Sequence, residues 1–166
     1  MSAGLDYVDC AAVFARNITL GHTPMILNDA VADQGIGLMI AAGRRFHEGR
    51  RKIERNEWEN RPQWLLGQDI KASTVGIVGF GGIGQTIAKR LKGFNAAKIL
   101  YSGHKEKPEA NELKAEFVTF DELITKSDFV FICVPLTNET KGMFNIEVFK
   151  KMKRNSVLIN VARGRK

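Results

Sequence analysis

Cysteine is scarce in this chain: Cys10 and Cys133 are the two among 166 residues. They form no CxxC pair and no Cys/His cluster with metal-ligand spacing, so neither a disulfide scaffold nor a metal module is expected. A reduced, cytoplasmic setting follows as the expectation, and Cys133, inside an apolar run, reads as a buried hydrophobe. Long hydrophobic runs are also missing. The best, Ile36 to Ala42, is too short to cross a bilayer and has charge on both flanks. No secretory leader is visible, so no membrane partner is expected. There are no internal repeats and no low-complexity tract. The formal charge is +7, but the basic residues are scattered in short groups such as Arg44-Arg45, Arg50-Arg51-Lys52 and Lys150-Lys151. No basic stripe with aromatics and no nucleic-acid module is present, so nucleic acid is not an expected partner. The positive balance suits a small anionic cofactor and an anionic substrate.

What is present is a globular composition, 44% hydrophobic and 26% charged, at a one-domain length. The most informative stretch is Ser73 to Gly84. A short apolar run, Val75 to Val78, ends in Gly79-x-Gly81-x-x-Gly84, and a helix-like stretch from Gln85 to Gly93 follows. This is the strand, turn and helix context of a dinucleotide-binding fingerprint. Gly79 permits the tight turn, Gly81 lets the backbone approach a pyrophosphate, and Gly84 lets the helix pack on the strand. The amides of Gly82, Ile83 and Gly84 then hold the phosphates at the positive end of the helix.

In such a fold an acidic residue at the end of the second strand receives the ribose 2′-hydroxyl of NAD. Here Lys98 to Tyr101 runs into Ser102-Gly103-His104-Lys105, and no carboxylate stands at that corner. Ser102 offers a hydroxyl, Lys105 a fixed positive charge, and His104 a second donor. That set suits a 2′-phosphate, so NADPH is expected over NADH. The same residues also read as an ordinary solvated turn.

Along the rest of the chain, residues 7–16 suggest one short helix and Asn17 to Leu20 a short strand. A long helix is expected from about Ala30 to Arg55, its first half apolar nearly all round and buried, its second half charged. Gly35, Gly37, Gly43 and Gly49 each cost it about 1 kcal/mol against alanine, and close packing is the expected compensation. Asn56 to Gly67, with Trp58, Pro62 and Trp64, reads as an irregular arm. Further strands are expected near Phe117-Val118, over Phe129 to Val134, and over Val157 to Val161. Thr119-x-x-Glu122 resembles a capping box for a helix to Lys126, and Asn145 can cap a helix through Lys153. Strands alternating with helices predict a Rossmann-type α/β doubly wound parallel sheet of order 3-2-1-4-5.

These segments together resemble the D-isomer-specific 2-hydroxyacid dehydrogenase family. The resemblance rests on Ser2-Ala3-Gly4-x-Asp6, Gly21-x-Thr23-Pro24, Val31-Ala32-Asp33, the fingerprint, Ser127-Asp128-Phe129, Pro135-Leu136-Thr137-x-x-Thr140, Met152-Lys153 and Asn160-x-Ala162-Arg163-Gly164. Arg61-Pro62-x-Trp64, Asp69-Ile70 and Tyr101-Ser102-Gly103 look most like the animal glyoxylate/hydroxypyruvate reductase branch, which favours NADPH. The resemblance implies a role for each matching residue. Arg163 would clamp the carboxylate of a small 2-keto acid and polarise its keto oxygen, work that suits a permanently charged guanidinium. Ala3 and Gly4 would give backbone contacts to that carboxylate. Val134, Pro135, Val161 and Ala162 would line the nicotinamide side. Trp64 lies where the family has a dimerisation arm, and would either reach a neighbouring site or anchor the arm.

The family's catalytic histidine follows the Asn-x-Ala-Arg-Gly motif, and none of His22, His47 or His104 takes its place. The expectation is therefore a chain truncated at both ends. Residues 1–21 would be a remnant of the substrate domain. Residues 22–166 would be the nucleotide-binding domain, with its long helix and dimerisation arm at about 22–68. Reduction of glyoxylate or hydroxypyruvate with NADPH is the family function implied, with a homodimer as its usual form, and the chain alone is expected to be inactive. The alternative is a non-catalytic nucleotide-binding or dimerising module.

Overall fold

Five short strands pair in parallel in the order β3-β2-β1-β4-β5. They are β1 (Thr74–Val78), β2 (Lys98–Ser102), β3 (Ala115–Phe117), β4 (Phe129–Ile132) and β5 (Val157–Asn160). This computed structural model describes residues 4, 5 and 7–164. Among the described residues seven α-helices accompany the sheet: α1 (Cys10–Ala15), α2 (Asn28–Gly43), α3 (Phe46–Glu54), α4 (Gly82–Leu91), α5 (Glu109–Leu113), α6 (Phe120–Lys126) and α7 (Ile146–Lys151). The expected Rossmann-type α/β order is the one found, because alternating strands and helices leave right-handed crossovers as the ready way to build a parallel sheet.

Strand pairing in register explains the two cores. Val75 lies beside Ile99 and Phe129, and Ile77 beside Tyr101 and Phe131. These residues share one face with Ile159 and pack on Ala32, Ile36 and Met39 of α2 and Ile87, Ala88 and Leu91 of α4. The alternate positions Val78, Leu100, Val130 and Ile132 face the other way and pack on Leu123 and Ile124 of α6 and on Phe144. A strand buried on both faces needs a continuous apolar run rather than alternation, which is what Phe129 to Ile132 supplies. Each large side chain fully removed from water contributes about 1.5–3 kcal/mol.

Local chemistry sets several boundaries. Thr119 caps α6 by accepting from the Glu122 amide at 3.2 Å. The reciprocal arm of a capping box is not made, since the Glu122 carboxylate accepts from Lys126 instead. Asn145 Oδ1 accepts from the amides of Glu147 and Val148 at 3.0 and 3.1 Å and opens α7, which ends at Lys151 rather than Lys153. α4 starts at Gly82, three residues earlier than expected, and passes at Leu91 into a 3₁₀ turn over Lys92–Phe94. β4 and β5 each stop short of the expected ends, at Ile132 and Asn160.

Three expectations are corrected. No strand forms over Asn17 to Leu20; Asn17 is left-handed and the Ile18 amide turns back to the Val13 carbonyl at 3.1 Å. A β-run needs a neighbour to pair with, and the described residues place none beside it. The long helix is two helices. The Gly43 carbonyl accepts from the Gln68 amide at 2.7 Å, and Arg45 takes a left-handed φ of 58° before α3 begins. Finally, the buried face of α2 is a stripe of Ala32, Gly35, Ile36, Met39 and Gly43, while Leu38 is exposed. The helix glycines divide accordingly. A Cβ on Gly35 would meet Val161 Cγ1 at 3.1 Å and one on Gly43 would meet Phe129 Cε1 at 3.1 Å, but Gly37 and Gly49 face open space. Close packing compensates the first pair alone. Of the arm, Asn56 to Gly67 is irregular as expected.

Candidate functional site

The carboxyl ends of parallel strands all lie at one edge of the sheet, and the fingerprint turn follows β1 there. Gly79 has a φ of +93°, and its amide donates to the Ser102 carbonyl at 2.9 Å, tying the turn to the end of β2. A Cβ at Gly79 would stand 2.7 Å from Val134 Cγ1 and 2.9 Å from backbone atoms of Cys133 and Val134, so glycine is required both for the conformation and for the approach of the strand after β4. Gly84 sits against the Gly79 carbonyl, and its Cβ would be 3.1 Å from Ile77 Cγ2. Gly81 differs. It precedes α4 in an extended conformation, and nothing lies within 4 Å of where its Cβ would be. The first capped amide of α4 is that of Gln85, which donates to the Gly81 carbonyl at 2.9 Å. The amides of Gly82, Ile83 and Gly84 therefore have no partner within the helix. Together with the helix dipole they make an anion site in front of Gly81.

The corner expected to select the cofactor, Ser102 to Lys105, sits at the end of β2. Ser102 is 5% exposed, whereas Gly103, His104 and Lys105 form an exposed turn. The turn is anchored from beneath. Tyr101 is fully buried, stacks on Phe80 at 4.1 Å between ring centroids, and accepts from the Lys107 amide at 2.9 Å through its hydroxyl. The sequence placed Tyr101 at the end of the second strand; its anchoring of this turn is visible only from the fold.

At β4 the chain passes through Cys133, Val134 and Pro135 above the fingerprint turn. Desolvation pushes the Cys133 thiol up to about 12, although the residue is half-buried rather than the fully buried hydrophobe expected. Thr140 Oγ1 donates to the Pro135 carbonyl at 2.6 Å and accepts from the Thr137 amide at 2.9 Å, fixing the Pro-Leu-Thr-x-x-Thr turn. At β5, Asn160 Oδ1 accepts from the Ala162 amide at 2.9 Å and Asn160 Nδ2 donates to the Arg163 carbonyl at 2.8 Å. One asparagine thus folds the Asn-x-Ala-Arg turn and carries Val161, Ala162 and Arg163 to the same sheet edge as the fingerprint. Val161 reaches back to α2 at Gly35.

One expected site residue, Trp64, lies elsewhere. Ala3 falls outside the described residues, although its neighbour Gly4 is half-buried. Trp64 packs edge-on to Trp58 at 4.6 Å and lines an open cleft with Arg45 and with Glu48 and Lys52 of α3, away from the fingerprint residues. His22, His47 and His104 are exposed. Among the described residues no three His, Cys, Asp or Glu side chains gather as a metal site, and no helix is long and apolar enough to cross a membrane.

The family model "D-isomer specific 2-hydroxyacid dehydrogenase, NAD binding domain" matches residues 36–166. The chain belongs to the D-isomer specific 2-hydroxyacid dehydrogenases. It is 41% identical to a glyoxylate reductase of Pyrococcus horikoshii, over 99% of this chain and 51% of that protein. It is 40% identical to the Homo sapiens glyoxylate reductase/hydroxypyruvate reductase, again over 99% and 51%. The crystal structure of TT0316 protein from Thermus thermophilus superposes with a TM-score of 0.91 at 38% identity, covering 99% of this chain and 51% of that one. The chain spans about half the length of the curated relatives it matches. The fingerprint turn, with its open amides, fits the nicotinamide dinucleotide that this family's domain binds.

Proposed function

We propose that this chain is the nucleotide-binding side of an NADPH-dependent cytoplasmic reductase that converts a small 2-keto acid, glyoxylate or hydroxypyruvate, to its D-2-hydroxy acid. The observation that carries this reading is the placement of Arg163 at the carboxyl end of β5, on the sheet edge that also holds the fingerprint turn. Gly82, Ile83 and Gly84 hold the pyrophosphate through their amides, and Gly81 gives it room. Ser102, Gly103, His104 and Lys105 receive the 2′-phosphate. Val134, Pro135, Val161 and Ala162 line the nicotinamide side. The bound nicotinamide supplies the hydride. Arg163 orients the substrate by its carboxylate and draws charge from its keto oxygen, with Ala3 and Gly4 offering backbone contacts.

Residues 1–21 are assigned to the substrate domain, and the arm with Trp64 to a homodimer contact. The 166-residue chain by itself is expected to turn over little or no glyoxylate, because general acid catalysis typically supplies about 10²–10⁴-fold and none of its three histidines occupies the family's acid position.

The test is a titration of the chain with NADPH and NADH, followed through the fluorescence of the reduced nicotinamide and of Trp58 and Trp64. Saturation by both, tighter for NADPH, is expected. Saturation by neither overturns the site. Equal or tighter NADH binding overturns the role given to Ser102 through Lys105 and leaves the fingerprint standing.

A further inference from the structure

Asn28 opens α2, and its side chain lies over Gly82 at the start of α4. A Cβ built on Gly82 would collide with the Asn28 amide nitrogen and stand 3.0 Å from Asn28 Cγ and 3.2 Å from Oδ1. The amide therefore fills the space that a side chain at position 82 would take. α4 has no side-chain cap of its own, since the residue before it is Gly81. Asn28 is half-buried, and no described residue hydrogen-bonds its side-chain amide. A neutral donor group thus rests beside the open amides of the fingerprint turn, contributed from a different helix.

Its placement is enforced. Arg90, on the last turn of α4, donates through Nη2 to Asp29 Oδ1 at 3.0 Å and to the Asp29 carbonyl at 3.3 Å, and through Nε to Asp33 Oδ1. The hydrogen bonds it donates to Asp33 and then to Asp29 hold the Arg90 pKa above its ordinary value. The Arg90 side chain is 24% exposed, whereas those of Asp29 and Asp33 are 81% and 67% exposed, so these ion pairs lie at the surface and their part is to set geometry rather than to add much stability. They clamp the first turn of α2 to α4, and Asn28 is the residue next to Asp29. Ala32 and Met39 complete the same interface with no exposed area.

We propose that Asn28 is a further cofactor-binding residue, its side-chain amide donating to the pyrophosphate, and that Arg90, Asp29 and Asp33 are the residues that position it. The inference rests on the dinucleotide reading given above. It concerns the diphosphate alone, so it is indifferent to the 2′-phosphate. The choice of asparagine has a physical reason. An amide offers two donors and no charge, whereas a carboxylate of the same shape would face the diphosphate with like charge.

The test measures dissociation constants of the parent chain, Asn28→Ala, Asn28→Asp and Arg90→Ala for NADPH, NADH, ADP-ribose and 2′-AMP, with a melting curve for each protein. The first three ligands carry a pyrophosphate and the fourth does not. A hydrogen bond to a charged group is worth enough to expect about tenfold weaker binding of all three pyrophosphate ligands to Asn28→Ala. Asn28→Asp should lose more, and Arg90→Ala should lose part of the same affinity. Binding of 2′-AMP should stay within about twofold. Unchanged affinity for the pyrophosphate ligands overturns the inference. So does an equal loss for 2′-AMP, which would mark Asn28 as structural. If Asn28→Ala fails to fold, the isosteric Asn28→Asp decides the matter by the same comparison. A folded parent that binds none of the four ligands overturns the dinucleotide reading and the inference together, whereas a parent that binds while the variants are unaffected overturns the inference alone.

Discussion

Gly81→Ala should separate cofactor binding from folding. Gly81 has φ −83° and ψ −165°, which alanine adopts freely, and nothing lies within 4 Å of the added Cβ. Replacing glycine reduces the entropy of the unfolded chain and stabilises by about 0.4–1 kcal/mol. Alanine is a poorer residue than glycine at the start of a helix, which offsets a similar amount. Folding stability should therefore stay within about 1 kcal/mol of the parent. Binding should not. The methyl group stands where a pyrophosphate must come close to the helix amides, and an overpacked contact costs about 1–3 kcal/mol. A middle value of about 2 kcal/mol weakens NADPH roughly thirtyfold. Gly84→Ala is the contrasting case. Its Cβ meets the Gly79 carbonyl and lies 3.1 Å from Ile77 Cγ2, so α4 must lift from β1. A backbone clash puts this overpacking at the upper end of the range, about 3 kcal/mol, and less about 1 kcal/mol of helix propensity regained it leaves a net destabilisation of about 2 kcal/mol. Urea denaturation and the NADPH titration read the two quantities separately. A Gly81→Ala protein that binds NADPH as tightly as the parent, or that loses several kcal/mol of stability, refutes the assignment of that open space to the phosphates.

Other consequences are measurable with the same protein. Lys105→Ala should weaken NADPH about fivefold, the value of an exposed ion pair near 1 kcal/mol, and leave NADH unchanged; a parallel loss of both would mean that Lys105 does not face the 2′-phosphate. Cys133 should resist thiol reagents at pH 8 in the folded protein, because its thiol is held protonated up to about 12. Its raised value also makes stability fall as pH rises from about 9, where the unfolded thiol ionises, toward 12, with a limiting slope of about 1.4 kcal/mol per pH unit. Cys133→Ala should flatten that stretch of the curve, and an unaltered slope would show that other groups set it. Among the described residues β5 pairs with β4 alone, and Leu158 is 36% exposed on that edge. The chain is therefore expected to self-associate, and Leu158→Lys to reduce this in light scattering. A parent chain that is already monodisperse contradicts the expectation.

Much of the fold was legible because its signals are local. Apolar runs of strand length at Val75, Lys98, Phe129 and Val157, separated by helix-length segments, define a parallel sheet before any contact is known. Asn145 and Thr119 announce their helices because a cap is a contact within three residues. The fingerprint glycines are legible for the same reason: the backbone conformation at Gly79 is a property of the turn itself. The short α5 escaped notice, since five residues give no periodicity and its buried Ala110 and Leu113 are held by the neighbouring core.

The amino-acid sequence by itself determined the strand order, the fingerprint turn, the corner without a carboxylate and the family, all of which depend on short-range chemistry or on the order of motifs. The tertiary structure alone decided the rest. The break between α2 and α3 depends on the Gln68 amide reaching the Gly43 carbonyl from 25 residues away. The anchoring of the turn after β2 depends on Tyr101 being buried under it, and the place of Asn28 over Gly82 depends on an arginine clamp between residues 57 and 61 positions apart in sequence. Such contacts join residues that carry no mark of one another along the chain, because their geometry exists only once the sheet has brought the helices together.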